Sequence, residues 1–216
     1  MERMDAAVRR VLDEYEARSA AEEKRWQELE WNNFVIERDQ FLLAVGPATG
    51  RLMNLLAREA GAKVILEIGT SYGYSTLWLA EAARAAGGRV ITLEVHAGKQ
   101  DYARERMDRA GVAGFVDFRL GDAVESLANL ETPVDFVLLD LWKDLYVRCF
   151  DLFYPRLNPG ALVVADNMLF PETARTHAAV YRTHVRSKPD MQSMLLPVGS
   201  GLEISRCTRK LPAVEV

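Results

Sequence analysis

The chain is poor in the residues that would mark it as a small secreted protein. Its 216 residues include two cysteines, Cys149 and Cys207, and three histidines. Two cysteines cannot build a multi-bridge framework, so free thiols in a reducing compartment are expected. No apolar run approaches the roughly 20 residues that span a bilayer. The first stretch, "MERMDAAVRRVLDEYEARSA", is charged throughout and lacks the apolar centre of a signal peptide. Positive charge is not in excess either. Lys and Arg number 27 against 31 Asp and Glu, a formal net charge of −4 with no basic block. That argues against a nucleic-acid partner held mainly by phosphate contacts. The dinucleotide fingerprint G-x-G-x-x-G, a low-complexity linker and internal repeats are all missing as well. A cytoplasmic protein with no membrane or nucleic-acid partner is the expectation.

What is present is a regular alternation. Residues 5–30 place Val8, Val11, Leu12 and Tyr15 at helical spacing. An apolar segment, Phe34 to Val45, follows. "VGPATG" then starts a helix that carries Leu52, Met53, Leu55 and Leu56 and stops at Gly61. From there short β-branched runs alternate with helical ones: strands at 63–69, 89–95, 115–122, 134–140 and 161–166, and helices at 75–88, 99–111 and 123–130. Another helix runs from the fourth strand to about Leu157, and one covers roughly 172–187. "MQSMLLPV" and "LEISRC", joined by "GSG", read as a closing β-hairpin. The pattern predicts a single α/β domain built on a doubly wound, mostly parallel sheet. Residues 1–60 are expected to supply N-terminal helices and residues 61–210 the core.

In such sheets ligands lie at the carboxyl ends of the strands. Those ends carry Gly69 to Ser75, Glu94, Asp122, Asp140 to Lys143, and Asp166 with Asn167. "EIGTSYGYS" brings backbone close to something at a helix N-terminus, or else is only a tight turn. Glu94, 25 residues past Gly69, is placed to accept from ribose hydroxyls, with a surface ion pair as the plain alternative. The two together favour an adenosine-containing ligand. Asp140, Asp166 and Asn167 are hard oxygen donors suited to Mg²⁺, although Asp-Asn also simply begins turns. Lys143 is either a solvated lysine or a general base with a lowered pKa. Trp142 is packing or a pocket wall, and Asp144 reads as the cap of the helix that follows. His96, His177 and His184 have no partners that would complete a metal set and read as surface residues.

Four stretches in this order, "VILEIGTSYGYSTLWLA", "LLDLWKDLY", "VVADNMLFP" and "GLEIS", resemble the catechol O-methyltransferase and caffeoyl-CoA O-methyltransferase group. The resemblance runs from about Phe41 to Arg206. It implies a Rossmann-like methyltransferase fold with a seven-stranded, mostly parallel sheet ending in an antiparallel hairpin. It further implies S-adenosylmethionine as cofactor and Mg²⁺ or another hard divalent cation. Gly69, Ser75 and Asp140 would hold the methionine end, with Val45, Glu67 and Tyr74 nearby. Glu94 would take the ribose, with Val95 beside it. Asp122 and Ala123 would lie along the adenine, and Trp142 would pack against the cofactor. Asp140, Asp166 and Asn167 would ligate the metal, and Lys143 would be the base. Glu203 would hydrogen-bond the hydroxyl that is not methylated. Phe41, Trp142 and Pro171 would grip the aromatic ring, together with Lys143 and Asn167.

Two departures matter. Catechol-type members carry tryptophan where Phe41 stands, and the CoA-ester branch usually reads D-A-D-K where this chain has Asp140-Leu-Trp-Lys143. The second, with Glu203 and Pro171, points to a small catechol-like acceptor; Asp122 in "GDA" is closer to the CoA-ester branch. Members are often dimers, so a homodimer is expected, with Trp26 and Trp31 as a contact surface or lid. A nucleotide-dependent oxidoreductase would account for Gly69 and Glu94 but gives Lys143, Asp166 and Asn167 no task. A non-catalytic cofactor-binding protein would be expected to have a broken metal or base set, and this set is complete. A methyltransferase acting on RNA or protein fits poorly with the acidic charge.

Overall fold

The computed structural model describes residues 4–28 and 37–210. Trp31, one of the two tryptophans expected at a contact surface, lies outside them, as does the side chain of Trp26. The strands are β1 (Val64–Ile68), β2 (Arg89–Glu94), β3 (Val116–Leu120), β4 (Val134–Leu139), β5 (Leu157–Ala165), β6 (Met191–Leu196) and β7 (Leu202–Cys207). They form one seven-stranded sheet in the order β3-β2-β1-β4-β5-β7-β6. β1 to β5 pair in parallel, and β7 runs antiparallel to both β5 and β6. Strand order reverses between β1 and β4, which opens a crevice at their carboxyl ends. The expected mostly parallel sheet with a closing hairpin is therefore present.

The helices are α1 (Ala6–Glu28), α2 (Pro47–Glu59), α3 (Tyr74–Ala86), α4 (Ala97–Arg109), α5 (Ala123–Ala128), α6 (Tyr146–Phe153) and α7 (Arg175–Arg186). Side chains alternate between the faces of each strand, so a continuous apolar run feeds two cores. Ile65, Val90, Phe136, Leu138 and Val164 meet Val8, Leu12, Met53, Leu77 and Met107 of α1 to α4 on one face. Leu66, Ile91, Val137, Leu139 and Val163 meet Val124, Phe150, Phe153, Tyr181 and Val185 of α5 to α7 on the other. No helix among the described residues is long and apolar enough to cross a membrane.

Three details differ from the sequence expectation. β5 begins at Leu157 rather than 161, because a register shift between Val134 and Phe136 on β4 absorbs the Pro159-Gly160 segment. The helix expected from 172 begins as a 3-10 turn, Glu172–Ala174, and is α-helical only from Arg175. Asp144 is not the cap of the helix after β4. A 3-10 turn at Lys143–Leu145 intervenes, and α6 starts after Leu145 with no side-chain cap. The apolar spacing from Leu141 onward could not show that turn, since its three residues fit either helix.

Candidate active site

Gly69 ends β1 and illustrates how tightly the crevice is built. It takes φ of 105°, and a β-carbon there would stand well inside contact distance of the Asp140 carbonyl oxygen. The ends of β1 and β4 therefore meet only because this position is glycine. The Asp140 N–H closes the same contact by donating to the Ile68 carbonyl at 3.0 Å. Beneath the turn lies Glu67, fully buried. Its carboxylate accepts from the hydroxyls of Ser75, Thr76 and Thr92, each at 2.6 Å. Burial pushes its carboxyl up to about 7, against those three hydrogen bonds, which pull it down. Glu67 and Ser75 thus brace one another under the turn.

At the end of β2, Glu94 accepts from the backbone N–H of Ser71 at 2.7 Å and from those of Val95 and His96 at 2.9 Å. Ser71 is held with a left-handed φ of 48°. Asp122 at the end of β3 caps α5 through Oδ1, accepting from the N–H of Val124 at 2.8 Å and of Glu125 at 3.0 Å, with Ala123 the first helical residue. Tyr74 turns its ring to α1, edge-on to Tyr15 at 5.7 Å. With Glu16, Gly46 and Pro47 it lines a cavity of about 200 Å³ between α1 and the start of α2. Val45 is half-buried in the segment before α2.

The ends of β4 and β5 hold the charged cluster. Lys143 Nζ donates to Leu141 O at 2.9 Å, to Tyr146 Oη at 2.7 Å and to Asp140 Oδ1 at 3.3 Å. Tyr146 Oη in turn donates to the Asp166 carbonyl at 3.2 Å. Tyr146 is completely buried, and burial pushes its phenol well above the ordinary value. It links the two strand ends, and the sequence reading did not single it out. The signal available was its position three residues after Lys143, one helical turn on. Asp166 is also buried; burial, then the charge of Asp140, raises its carboxyl to about 7. Asn167 follows with a left-handed φ of 59°. The loop beyond it is pinned to the β6–β7 turn, since the N–H groups of Met168 and Leu169 donate to Gly201 and Ser200 at 2.9 Å.

This donor set fits a hard divalent cation. Two carboxylates are held close enough that the charge of Asp140 raises the Asp166 carboxyl, and the Asn167 N–H donates to Asp166 Oδ1 at 2.6 Å. A cation would relieve the repulsion and leave other positions for water or a substrate. Among the described residues no three His, Cys, Asp or Glu side chains converge on such a site. Asp140 and Asp166, with Asn167 next to Asp166 in the chain, are the oxygen donors these strand ends offer.

The remaining candidates are distributed unevenly. Trp142 is 52% and Phe170 64% exposed, and Leu43, Val95 and Leu120 are exposed apolar residues as well. Pro171 follows a cis peptide bond and is half-buried. Phe41 is buried, with the Arg25 guanidinium 5.3 Å over its ring. Glu203 pairs with Ala165 across β5 and β7, beside Asp166 in sequence, but its carboxylate is fully buried. It accepts from Arg186 at 2.7 and 3.1 Å, and Arg182 stands 3.8 Å away. Neither arginine was anticipated from sequence, because both lie on α7, remote along the chain. His184 is half-buried and 2.7 Å from Asp151, unlike the surface residue expected.

Comparison with known proteins gives a consistent result. A family model described as O-methyltransferase matches residues 16–208. A catechol O-methyltransferase of Niastella koreensis is 37% identical over 141 residues, covering 63% of each chain. One of Mycobacterium tuberculosis is 38% identical over 130 residues, covering 59% of this chain and 58% of the relative. The chain thus matches less than two thirds of the length of these curated relatives. The crystal structure of the O-methyltransferase from Bacillus cereus in complex with SAH superposes with a TM-score of 0.74. It is 26% identical and covers 96% of this chain and 93% of that one.

Proposed function

This chain belongs to the O-methyltransferase family, and from that premise we propose that it methylates one hydroxyl of a small vicinal dihydroxy aromatic, using S-adenosylmethionine and a hard divalent cation. The observation that carries the reading is the half-buried link from Asp140 through Lys143 and Tyr146 to the Asp166 carbonyl, at the switch point of the sheet. It stands beside the Gly69 turn and Glu94, where a nucleoside would lie.

S-adenosylmethionine, when bound, supplies an electrophilic sulfonium methyl. Asp140, Asp166 and Asn167 would hold the cation, whose positive charge would lower the pKa of a bound phenol from about 10. The chain's own groups do the rest. Glu94 presents carboxylate oxygens to ribose hydroxyls, while three backbone N–H groups fix its orientation. Gly69 lets the ends of β1 and β4 meet where the methionine end would lie, and Glu67 keeps Ser75 in place.

Lys143 takes the proton of the reacting hydroxyl onto Nζ. In the resting arrangement three acceptors surround that nitrogen. To accept that proton, Nζ first gives one of its own protons to solvent; the neutral amine keeps two N–H donors, so two of those bonds hold Lys143 while its lone pair turns toward the acceptor hydroxyl. The oxygen freed of its proton forms the new C–O bond in line as the sulfur–carbon bond breaks, and positioning of the reactants provides most of the rate. Opposite charges cancel in that step, so a dry crevice does not oppose it. Trp142 and Phe170, both exposed, are available to cover it. Glu203 is fully buried, so it can accept from a substrate hydroxyl only if the packing over its carboxylate opens.

The test is a calorimetric titration with S-adenosylhomocysteine and with NAD, then a screen of catechols, flavonoids and hydroxycinnamoyl thioesters with labelled cofactor. Binding of S-adenosylhomocysteine alone, and label transfer to catechols, is expected. Binding of NAD alone, or transfer only to thioesters, contradicts the reading.

A further inference from the structure

The turn that would meet the cofactor is also held from the amino-terminal side of the chain. Tyr15, on the third turn of α1, is 2% exposed, and its hydroxyl donates to the Tyr72 carbonyl at 2.5 Å. The next residue, Gly73, takes φ of 89°, and a β-carbon there would lie 2.7 Å from the Ala103 β-carbon and 3.2 Å from Tyr15 Oη. One helical turn further along α1, Arg18 covers the Tyr72 ring at 4.5 Å and bonds Glu22 at 2.6 Å. Glu22 accepts from the Leu42 N–H at 2.7 Å, and the Leu42 carbonyl accepts from Ser71 Oγ at 3.4 Å. Ser71 is one of the three residues whose N–H groups orient Glu94. Two routes from α1 thus end on adjacent residues of one strained turn.

We propose that Tyr15 is a positioning residue for the cofactor: by holding the Tyr72 carbonyl it fixes the Ser71–Gly73 turn, and so couples the docking of α1 to cofactor binding. The inference rests on the reading that S-adenosylmethionine lies on this turn. Tyr15 does not touch the ligand. Its hydroxyl selects the left-handed Ser71 and Gly73 conformations among those an unbraced turn would sample. A ligand that needs that conformation binds more weakly when the other conformations are populated. Coupling of this kind is reciprocal, so the ligand must also tighten α1.

Tyr15→Phe keeps the ring and removes only the donor. Titration with S-adenosylhomocysteine should show Kd raised about five-fold, the loss of one hydrogen bond. In an assay at saturating cofactor, kcat should change little while the KM for S-adenosylmethionine rises. A merely structural role would lower the melting temperature and leave Kd unchanged, and that result overturns the proposal. Glu22→Gln, on the second route, should shift Kd in the same direction by less. Hydrogen exchange of the unmodified chain gives a measurement independent of any variant. S-adenosylhomocysteine should slow exchange in α1 as well as in α3, and Tyr15→Phe should lose the α1 share alone. If the ligand protects α3 but not α1 in the unmodified chain, the coupling is refuted. If the unmodified chain does not bind S-adenosylhomocysteine, the cofactor reading fails first, and this failure is distinguishable from the others.

Discussion

Replacing Tyr146 with phenylalanine separates the charged cluster from the packing around it. The ring would stay in place, edge-on to Tyr181 at 5.4 Å and beneath Lys143 Nζ at 4.6 Å. Only the hydroxyl would go, and with it the acceptor for Lys143 at 2.7 Å and the donor to the Asp166 carbonyl at 3.2 Å. Lys143 would retain Asp140 and Leu141 as acceptors, so its charge would not be stranded. One hydrogen bond to a charged group and one neutral bond then set the cost at about 2 kcal/mol. For a chain of this length that lowers the melting temperature by about 4–8 °C. Turnover should fall further than stability alone explains, because Lys143 would no longer be held against the β5 end. A loss of about 1.4 kcal/mol in positioning is about ten-fold in kcat. The assay is methylation of a catechol at saturating cofactor, with S-adenosylhomocysteine affinity measured in parallel. An unchanged kcat at a lowered melting temperature would make Tyr146 a structural residue and refute the reasoning.

Gly69→Ala should abolish S-adenosylhomocysteine binding and cost about 3 kcal/mol, because the new methyl group meets the Asp140 carbonyl at a φ unfavourable to alanine; calorimetry and thermal melts check both. Glu67, with its carboxyl raised from 4.5 to about 7, contributes stability that is complete below about pH 4.5 and lost as pH rises to 7. Thermal melts from pH 5 to 8 should therefore fall less steeply for Glu67→Gln than for the unmodified chain, by about 2–3 kcal/mol across the window. An identical slope would mean that Glu67 does not titrate there. Arg186→Ala should destabilise by about 2 kcal/mol, since Glu203 is left buried with Arg182, 3.8 Å away, as its remaining ion pair among the described residues. A variant as stable as the parent in urea unfolding would show that Glu203 does not depend on that pair.

The sheet was legible because its strands are short β-branched runs separated by helical spacing, and a run such as "VDFVLL" leaves little choice. The strand-end residues followed once the strands were placed, since a doubly wound sheet brings its carboxyl ends together. Contacts between remote segments were not legible. Tyr15 looked like one apolar residue among four on a helix, and nothing near it in sequence points to the Tyr72 carbonyl. Nothing near Arg182 and Arg186 in sequence shows that they pair with Glu203. Local geometry was also hidden where residues serve two conformations equally. The Lys143–Leu145 turn and the start of β5 through Pro159 are of that kind. The resemblance supplied roles for Glu67 and Asp122, but not that hydroxyls and backbone N–H groups already occupy them.

The most direct test is methylation of a catechol by metal-stripped protein with labelled S-adenosylmethionine, followed by mass spectrometry of the product, in excess EDTA and after restoring Mg²⁺. No product in EDTA and a singly methylated catechol on adding Mg²⁺ is the expected result. Full turnover in excess EDTA would contradict a catalytic role for Asp140, Asp166 and Asn167 as the ligands of a cation.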